Sequence, residues 1–483
     1  MRLLRNSLYT LTSSVLPAII SVVTIPFFVT QIGAERYGVL SIAWLVLGYF
    51  GSADFGIGRA ITQRIAAMRA SGEGSPSDAV CSALLAMAGF GLITAILLFI
   101  FTNWYFAGPF ETYEGLRSEA LKAVWILALC SIVVGLNGVL AGALMGYEEF
   151  GVLAISNAIS NSVIVLFPLA TAYLYSIEIS YLIASALLAR SLGAALLTIN
   201  VWRKFFKHRL AKFSHEELKP LLGFGLWVMV SSLIGPLMLF VDRFVIGAYL
   251  GALAVAAYAI PYQIASRTLL VPVAITQALY PRFAAEDGAL AKARCAEFAV
   301  FVGQFFALIS IVLICLAEPL LRLWLGDLLD PRSVLVAQVL MIGFWANAIA
   351  FVPFAYLQAR GNPGFTAILH TLELPVFLTL LWAFGTSFGL TGFAIAFSAR
   401  CIIDCAALMQ KSSILWSMQT AKLGVTAVFL SASFLVGTLS DSFVTMLVWT
   451  ALLFVGVFAA MLFQMPAGLR VTIRSLAWAR RFG

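Results

Sequence analysis

Apolar residues fill most of the chain in runs of about 20, and short polar or charged stretches separate the runs. An α-helix needs a run of this length to cross the hydrocarbon core of a bilayer. The pattern predicts an all-α integral membrane protein with about 14 transmembrane helices. The predicted spans are 9–31, 38–60, 80–103, 120–145, 150–174, 180–201, 222–248, 254–280, 296–323, 333–358, 364–385, 390–410, 420–438 and 443–464.

Basic residues are distributed unequally between the two sides of this predicted bundle. With the N-terminus in the cytoplasm, 21 of the 30 Lys and Arg residues lie on the inner side and only five lie in outer loops. Lys and Arg concentrate in the cytoplasmic loops of membrane proteins. The pattern therefore predicts cytoplasmic N- and C-termini, and membrane topology explains the net charge of +8 without a nucleic-acid partner.

The amino-acid composition excludes several kinds of chemistry for this chain. Hydrophobic residues make up 62% of the chain and charged residues 11%, against roughly a quarter charged in soluble domains. No Gly-Lys dipeptide occurs, which excludes a phosphate-binding Walker loop. The six cysteines lie in or beside apolar segments, without the spacing of a disulfide framework or a metal site. We therefore expect a protein that is not an enzyme and that has no catalytic residue, metal or cofactor.

An internal repeat relates the two halves of the chain. A shift of 218 residues brings Gly33 onto Gly251 within a series of short matches, and a slightly different shift brings Arg190 onto Arg400. Both halves start in the cytoplasm, so they are parallel repeats, an arrangement with which transporters enclose a substrate path. A duplication that only enlarged the bundle would leave the same pattern.

The repeat suggests a division of the chain into two pseudo-symmetric six-helix lobes, to which two helices are appended at the C-terminal end. The predicted parts are an N-lobe with helices 1 to 6 (1–202), a basic cytoplasmic connector (203–219), a C-lobe with helices 7 to 12 (220–412), helices 13 and 14 (413–466) and a basic cytoplasmic tail (467–483).

Three arginines, Arg190, Arg267 and Arg400, lie near the middle of predicted spans. A charge near the bilayer centre costs at least about 2.5–3.5 kcal/mol, so each guanidinium requires a partner, water or a ligand. Because a guanidinium binds phosphate through two parallel hydrogen bonds, three of them facing one cavity would bind an anionic head group such as a pyrophosphate. Ion pairing inside the protein, for example between Arg400 and Asp404, is the alternative.

Four carboxylates within the predicted spans are candidates for ion coupling or for charge pairing: Asp54, Asp242, Glu373 and Asp404. Each has the chemistry to carry a coupling ion or a proton, or to neutralise an arginine. Asp242 and Arg243 are about 100° apart on one helix, so we expect their side chains to point in different directions. His370 and Glu373 are three residues apart and lie on one face of a predicted helix.

Several motifs resemble those of a known transporter family. Residues 31–38, Gln-Ile-Gly-Ala-Glu-Arg-Tyr-Gly, followed by the glycine-rich segment 49–58, resemble the start of Wzx-type polysaccharide and O-antigen flippases. Residues 240–247, Phe-Val-Asp-Arg-Phe-Val-Ile-Gly, resemble the start of the second half of these flippases. Residues 359–363 and 389–396 are similar to the region of their helices ten to twelve. The likeness spans nearly the whole chain.

The resemblance implies membership of the polysaccharide transport family, in the multidrug, oligosaccharidyl-lipid and polysaccharide (MOP) exporter superfamily. It implies a MATE-like fold with a cationic cavity between two lobes. Polysaccharide members of the superfamily move undecaprenyl-diphosphate-linked oligosaccharides from the inner to the outer leaflet of the bacterial cytoplasmic membrane. For this chain the resemblance thus implies a lipid-linked glycan as substrate, a role in O-antigen (lipopolysaccharide) or exopolysaccharide biosynthesis, and work alongside a polysaccharide polymerase and export machinery.

Two other classes of function stay open at this point. An ion-coupled exporter of small cationic drugs should have a cavity dominated by unpaired carboxylates, whereas basic residues outnumber acidic ones in these spans. A membrane-bound glycan polymerase or ligase should carry its chemistry on large outer loops. The predicted spans leave no such loop, since the longest outer loop extends only from about residue 104 to 119.

Overall fold

The computed structural model describes residues 2–52, 56–207, 211–218, 237–238, 240–440 and 442–464, without the side chains of 2–14 and 49–52. Over these residues the chain is almost entirely helical and contains no β-strand. Ten of the described helices are long and apolar enough to cross a membrane. The predicted class, an all-α multi-pass membrane protein, is confirmed.

The helices are numbered in chain order. They are α1 (Arg2–Ile32), α2 (Ala34–Ser52), α3 (Ile57–Ser71), α4 (Pro76–Ala107), α5 (Glu114–Gly146), α6 (Phe150–Leu174), α7 (Ile179–Val201), α8 (240–249), α9 (Gly251–Arg267), α10 (Leu270–Ala285), α11 (Gly288–Cys315), α12 (Ala317–Leu325), α13 (Arg332–Ala359), α14 (Pro363–Lys411), α15 (Lys422–Leu439) and α16 (Phe443–Gln464).

Helix α14 contains two of the predicted spans. Its 49 residues are divided at Gly389, whose φ of 57° and ψ of −136° are not helical. Only glycine adopts such angles without strain. Just beyond it, a Cβ atom on Gly392 would lie 1.8 Å from the carbonyl oxygen of Phe384, so the two halves meet too closely there for any side chain. The total of 14 spans stays a prediction.

The predicted span 254–280 is interrupted, because α9 ends at Arg267 and α10 begins at Leu270. Pro272 has no N–H with which to complete the α-helical bond to the carbonyl oxygen of Thr268, and its ring crowds that carbonyl. Thr268 O instead accepts a hydrogen bond from Val271 N at 3.4 Å. The chain therefore passes through tighter, 3₁₀-like turns before α10 starts.

The internal repeat recurs in backbone geometry at the glycines that the sequence pairs. Gly33 and Gly251 both have a φ of 81°, and they immediately precede α2 and begin α9. Each of these helices is followed by a second helix: α3, which begins after Gly56 with its φ of 69°, and α10, which begins after the turn at 268–269. Discontinuous helices at matching positions in two repeats are a feature of transporter binding regions.

The chain divides into two compact units, Met1–Ala259 and Ile260–Gly483. In the first unit, α3 packs closely on α5 because glycines stand at the contact. A Cβ atom on Gly142 would lie 2.3 Å from Gly58 O, and one on Gly146 would lie 2.6 Å from Thr62 O. Small residues allow such close approach between membrane helices. Side chains from α3, α4, α5 and α7 form the hydrophobic core beside this contact.

Residues 240–259 belong to the first unit, although the sequence assigns them to a C-lobe at 220–412. Their turn is held by backbone hydrogen bonds to the loop after α4. The N–H of Glu111 donates to Gly247 O at 3.0 Å, and the N–H of Ala252 donates to Glu111 O at 3.2 Å. The predicted lobe boundaries stay a prediction, and the predicted tail, 467–483, lies outside the described residues.

The second unit is built around α11 and α13, which are the most buried of its membrane-crossing helices. Helices α15 and α16, the pair that falls outside the repeat, pack on α11. Gln304 of α11 donates a hydrogen bond from Nε2 to Oε1 of Gln464 at 2.7 Å. As a result 72% of the membrane-crossing part of α11 is buried. In α4, the helix at the corresponding position of the first repeat, the buried share is 28%.

Candidate functional site

The two halves of α14 bring polar side chains together inside the second unit. Glu373 lies 16 residues before Gly389, and Asp404 lies 15 residues after it. Two helices that run in opposite directions from one turn bring such positions to the same depth. Glu373, Arg400 and Asp404 are all buried there, with 5%, 8% and 8% of their surface exposed.

His370, Glu373 and Asp404 form a group that we call the carboxylate cluster. Ligand-type atoms of its three side chains all lie within 4.8 Å of one another. His370 Nε2 is 3.7 Å from Asp404 Oδ1. The imidazole is also stacked on the ring of Phe354 from α13, with ring centroids 6.0 Å apart and planes inclined by 9°. His370 is thereby held between an aromatic ring and a carboxylate.

Arg400 lies one turn before Asp404 on the same face of α14, but the two side chains do not form an ion pair within 4.0 Å among the described residues. The guanidinium donates a hydrogen bond from Nη2 to Cys401 Sγ at 3.2 Å. Its central carbon also lies over two aromatic rings, 5.4 Å from Phe377 and 5.5 Å from Phe397. These aromatic contacts stabilise a cation only in part.

Several polar atoms of this site have no hydrogen-bond partner. They are both carboxylate oxygens of Glu373, Oδ1 of Asp404 and Nε of Arg400. A buried polar group without a partner costs about 1–3 kcal/mol, and more if it is charged. Such atoms therefore mark a place where a bound ion, proton, water or ligand group would supply the missing contacts.

Two carboxylates and an imidazole also form a donor set for a cation. Among the described residues, the carboxylate cluster is the group of three potential ligands that lie close enough together to hold a metal ion. Protonation or a bound cation would relieve the repulsion between neighbouring carboxylates. An anionic group would instead be drawn to Arg400. The site thus offers cation chemistry and anion chemistry side by side.

The other two arginines predicted as cavity residues differ in their surroundings. Arg190 lies on α7 in the first unit, and its buried Nε has no acceptor, as is also true of its repeat partner Arg400. Arg267 is the last residue of α9 and is exposed at the break before α10. Within the described parts of the chain Arg267 has no ion-pair partner.

The expectation that Asp242 and Arg243 point in different directions is wrong. Arg243 Nε lies 3.6 Å from Asp242 Oδ1, and both side chains are buried. The long arginine side chain folds back over the 100° that separates the two positions. Asp242 also accepts hydrogen bonds from Tyr258 Oη at 2.8 Å and from the N–H of Arg243 at 2.8 Å. Its carboxylate is therefore occupied by protein donors. Asp54 lies outside the described residues.

Sequence reasoning missed the aromatic neighbours of the site. Phe397 lies three residues before Arg400, and that spacing on a helix is a signal that could have identified it. Phe354 and Phe377 come from other turns and helices, and no local pattern connects them to His370 or Arg400. The contact between Glu373 and Asp404 could have been inferred from their nearly equal spacing from Gly389.

Comparison with known proteins identifies the family. The family described as polysaccharide biosynthesis protein matches residues 3–285. A putative O-antigen transporter from Shigella flexneri is 30% identical over 411 residues, which cover 84% of this chain and 97% of that protein. The uncharacterized membrane protein EpsK from Bacillus subtilis (strain 168) is 25% identical, covering 75% of this chain and 73% of that protein.

Solved structures show the same fold. The lipid II flippase MurJ, in an inward closed conformation, has a TM-score of 0.70 at 16% identity, covering 95% of this chain and 98% of its own. A MATE family multidrug resistance transporter of the MOP superfamily, facing inward, has a TM-score of 0.67 at 15% identity, covering 87% and 99%. The Shigella flexneri protein, MurJ and the MATE family protein are named as transporters or flippases and not as enzymes. The chain therefore belongs to the polysaccharide biosynthesis protein family and has the fold of MOP superfamily transporters.

Proposed function

We propose that the protein flips an undecaprenyl-diphosphate-linked oligosaccharide from the inner to the outer leaflet of the bacterial cytoplasmic membrane. The flipped glycan would serve O-antigen, other surface polysaccharide or exopolysaccharide biosynthesis. The likeness to a putative O-antigen transporter over most of both chains supports this substrate class. The likeness to the lipid II flippase MurJ supports transport of a lipid-linked molecule, although at 16% identity it bears on the fold alone.

The buried guanidinium of Arg400 is the observation that carries the proposal. It lies inside a membrane-crossing helix, and its Nε has no acceptor. A diphosphate would provide that acceptor through charge-assisted hydrogen bonds, which guanidinium forms in pairs with phosphate oxygens. Arg190, its repeat partner, has the same unmatched Nε in the first unit. With Arg267 exposed at a helix break, these three arginines are the proposed diphosphate-binding residues.

The carboxylate cluster is the proposed coupling site. Glu373 and Asp404 hold three oxygens without hydrogen-bond partners, and His370 adds a titratable group beside them. A proton or a cation bound there would change the charge next to Arg400 and so change the affinity of Arg400 for a diphosphate. Coupling of this kind is reciprocal, since the diphosphate would alter ion binding by the same factor.

Alternating access completes the proposed mechanism. The six-helix lobes predicted at 1–202 and 220–412 would rock against each other while the polyprenyl tail stays in lipid and the sugars cross in water. We also propose cytoplasmic termini, on the distribution of basic residues. A polysaccharide polymerase and export machinery on the outer side would then receive the glycan.

An ion-coupled exporter of small cationic molecules is a second candidate function. The unpaired carboxylate oxygens of Glu373 and Asp404 favour it, because a cationic drug would satisfy them directly. Arg400 opposes it, since a buried guanidinium whose Nε has no acceptor would be satisfied by an anionic substrate and not by a cationic one. The two functions differ in the charge of the molecule that the protein retains.

Native mass spectrometry of the protein purified from bacterial membranes tests the proposal. We expect the wild type to retain a polyprenyl-diphosphate glycan, and the Arg400→Ala variant to retain at least about tenfold less. Arg332→Ala is the matched control, because Arg332 is half-exposed and paired with Asp330 at 2.7 Å. A wild type that carries only phospholipid or a small organic cation would contradict the proposal.

A further inference from the structure

A second cavity, with a volume of about 370 Å³, lies in the second unit between α10 and α13. Helix α10 contributes Thr276, Gln277 and Tyr280 to its wall. Helix α13 contributes Phe351, Phe354 and Gln358. The volume is within the range of about 300–1,000 Å³ that small-molecule sites occupy. The cavity is separate from Arg400, and its lining contains no charged side chain.

Two amides give this cavity its chemistry. The side chains of Gln277 and Gln358 have no hydrogen-bond partner in the part of the chain that the structure describes. Gln277 is exposed and Gln358 is half-buried, and both lie close to the cytoplasmic ends of the predicted spans 254–280 and 333–358. The hydroxyl of Thr276, by contrast, donates back to its own helix, to Pro272 O at 3.0 Å. Both amides are therefore free to bind water or a polar ligand.

Three aromatic rings line the same cavity, from Tyr280, Phe351 and Phe354. A hydrocarbon tail would pack on the rings but would form no hydrogen bond with either amide. A phosphate would find no cation. A sugar ring fits both features, because its C–H faces pack on aromatic rings while its hydroxyls both donate to and accept from amides.

We propose that this cavity is a subsite for a neutral sugar ring of the transported glycan. The inference rests on the proposed function and adds to it a site for the part of the substrate that the arginines do not recognise. Phe354 connects this cavity to the carboxylate cluster, because the same ring lines the cavity and is stacked on His370. A sugar packed on Phe354 would thus restrain the imidazole beside Asp404, and so connect glycan binding to the carboxylate cluster.

Saturation-transfer NMR on the full chain, purified in a detergent without a sugar head group, tests the subsite. The probes are glucose, galactose, rhamnose and N-acetylglucosamine, each added alone. We expect transfer to the ring protons of at least one sugar with the wild type, and at least about fivefold less with Gln277→Leu/Gln358→Leu. Leucine keeps the size of the side chain and removes only its hydrogen bonds.

Gln410→Leu is the matched control, because it removes an exposed amide from α14 outside the cavity lining. We expect this variant to bind sugar as the wild type does. Equal transfer with the double variant and the wild type, or no transfer from the wild type to any of the four sugars, would overturn the subsite.

A flipping assay separates this inference from the proposed function. The double variant should flip a polyprenyl-diphosphate sugar at least about fivefold more slowly than the wild type. If the double variant flips at the wild-type rate while Arg400→Ala does not flip, the sugar subsite is wrong and the flippase function stands. If the wild type itself does not flip the probe, the proposed function is wrong.

Discussion

Arg400→Ala is expected to abolish export of the surface glycan while the protein still accumulates in the membrane. Each hydrogen bond to a charged group contributes about 1.5–3 kcal/mol, so losing a bidentate pair lowers diphosphate affinity by a factor of about 100 or more. Removing a charge from a membrane helix makes its insertion easier. The measurement is the amount of surface glycan on a bacterium that depends on this protein, compared with the amount of protein in its membranes.

Arg400→Lys and Arg332→Ala make this result specific. Lysine keeps the charge but not the planar fork, so we expect export between that of the wild type and that of Arg400→Ala. Arg332→Ala removes a surface ion pair worth about 0–1 kcal/mol and should export normally. Normal surface glycan with Arg400→Ala, at the wild-type level of protein, would remove Arg400 from the substrate site.

Glu373→Gln is expected to uncouple transport from the ion gradient while leaving lipid retention intact. The amide has nearly the shape of the carboxylate, but it binds neither a proton nor a cation in the same way. Coupling free energies are typically about 1–3 kcal/mol, so a gradient should accelerate wild-type flipping at least about fivefold and leave the variant unchanged. The measurement is the flipping rate in vesicles, with and without an imposed proton or sodium gradient.

The control for this second result is Glu318→Gln, which removes a surface carboxylate paired with Arg322 at 2.8 Å. It should respond to the gradient as the wild type does. A Glu373→Gln variant that still accelerates with the gradient would show that the carboxylate cluster is not the coupling site. Retention of lipid by Glu373→Gln and its loss in Arg400→Ala would separate the two roles.

The membrane fold could be predicted from the sequence because a helix crosses lipid when its apolar run is long enough, and the length of an apolar run is a local property of the sequence. The sequence also pairs Gly33 with Gly251, and these two glycines share a φ of 81°. The break between α9 and α10, at residues 268–269, was not predicted from the sequence. Pro261 lies within the continuous helix α9, whereas Pro272 follows a break, so proline alone does not decide where a helix ends.

The candidate site was less predictable, because its geometry depends on contacts between distant residues. Arg400, Glu373 and Asp404 were identified from the cost of a charge in the membrane. Their meeting across the turn at Gly389 depends on one glycine conformation, which hydropathy does not report. The pairing of Asp242 with Arg243 was missed for a different reason, since helical angles describe Cβ positions and not the reach of a long side chain.

Reconstituted flipping is the most direct measurement of the central claim. The purified protein is placed in vesicles that contain undecaprenyl diphosphate bearing one fluorescent hexose, and a membrane-impermeant reagent destroys the label on the outer leaflet. Charged head groups cross hydrocarbon slowly without help. The account predicts that wild-type protein makes the inner-leaflet label accessible to the reagent and that Arg400→Ala does not. Label that stays protected in wild-type vesicles, under either ion gradient, would contradict it.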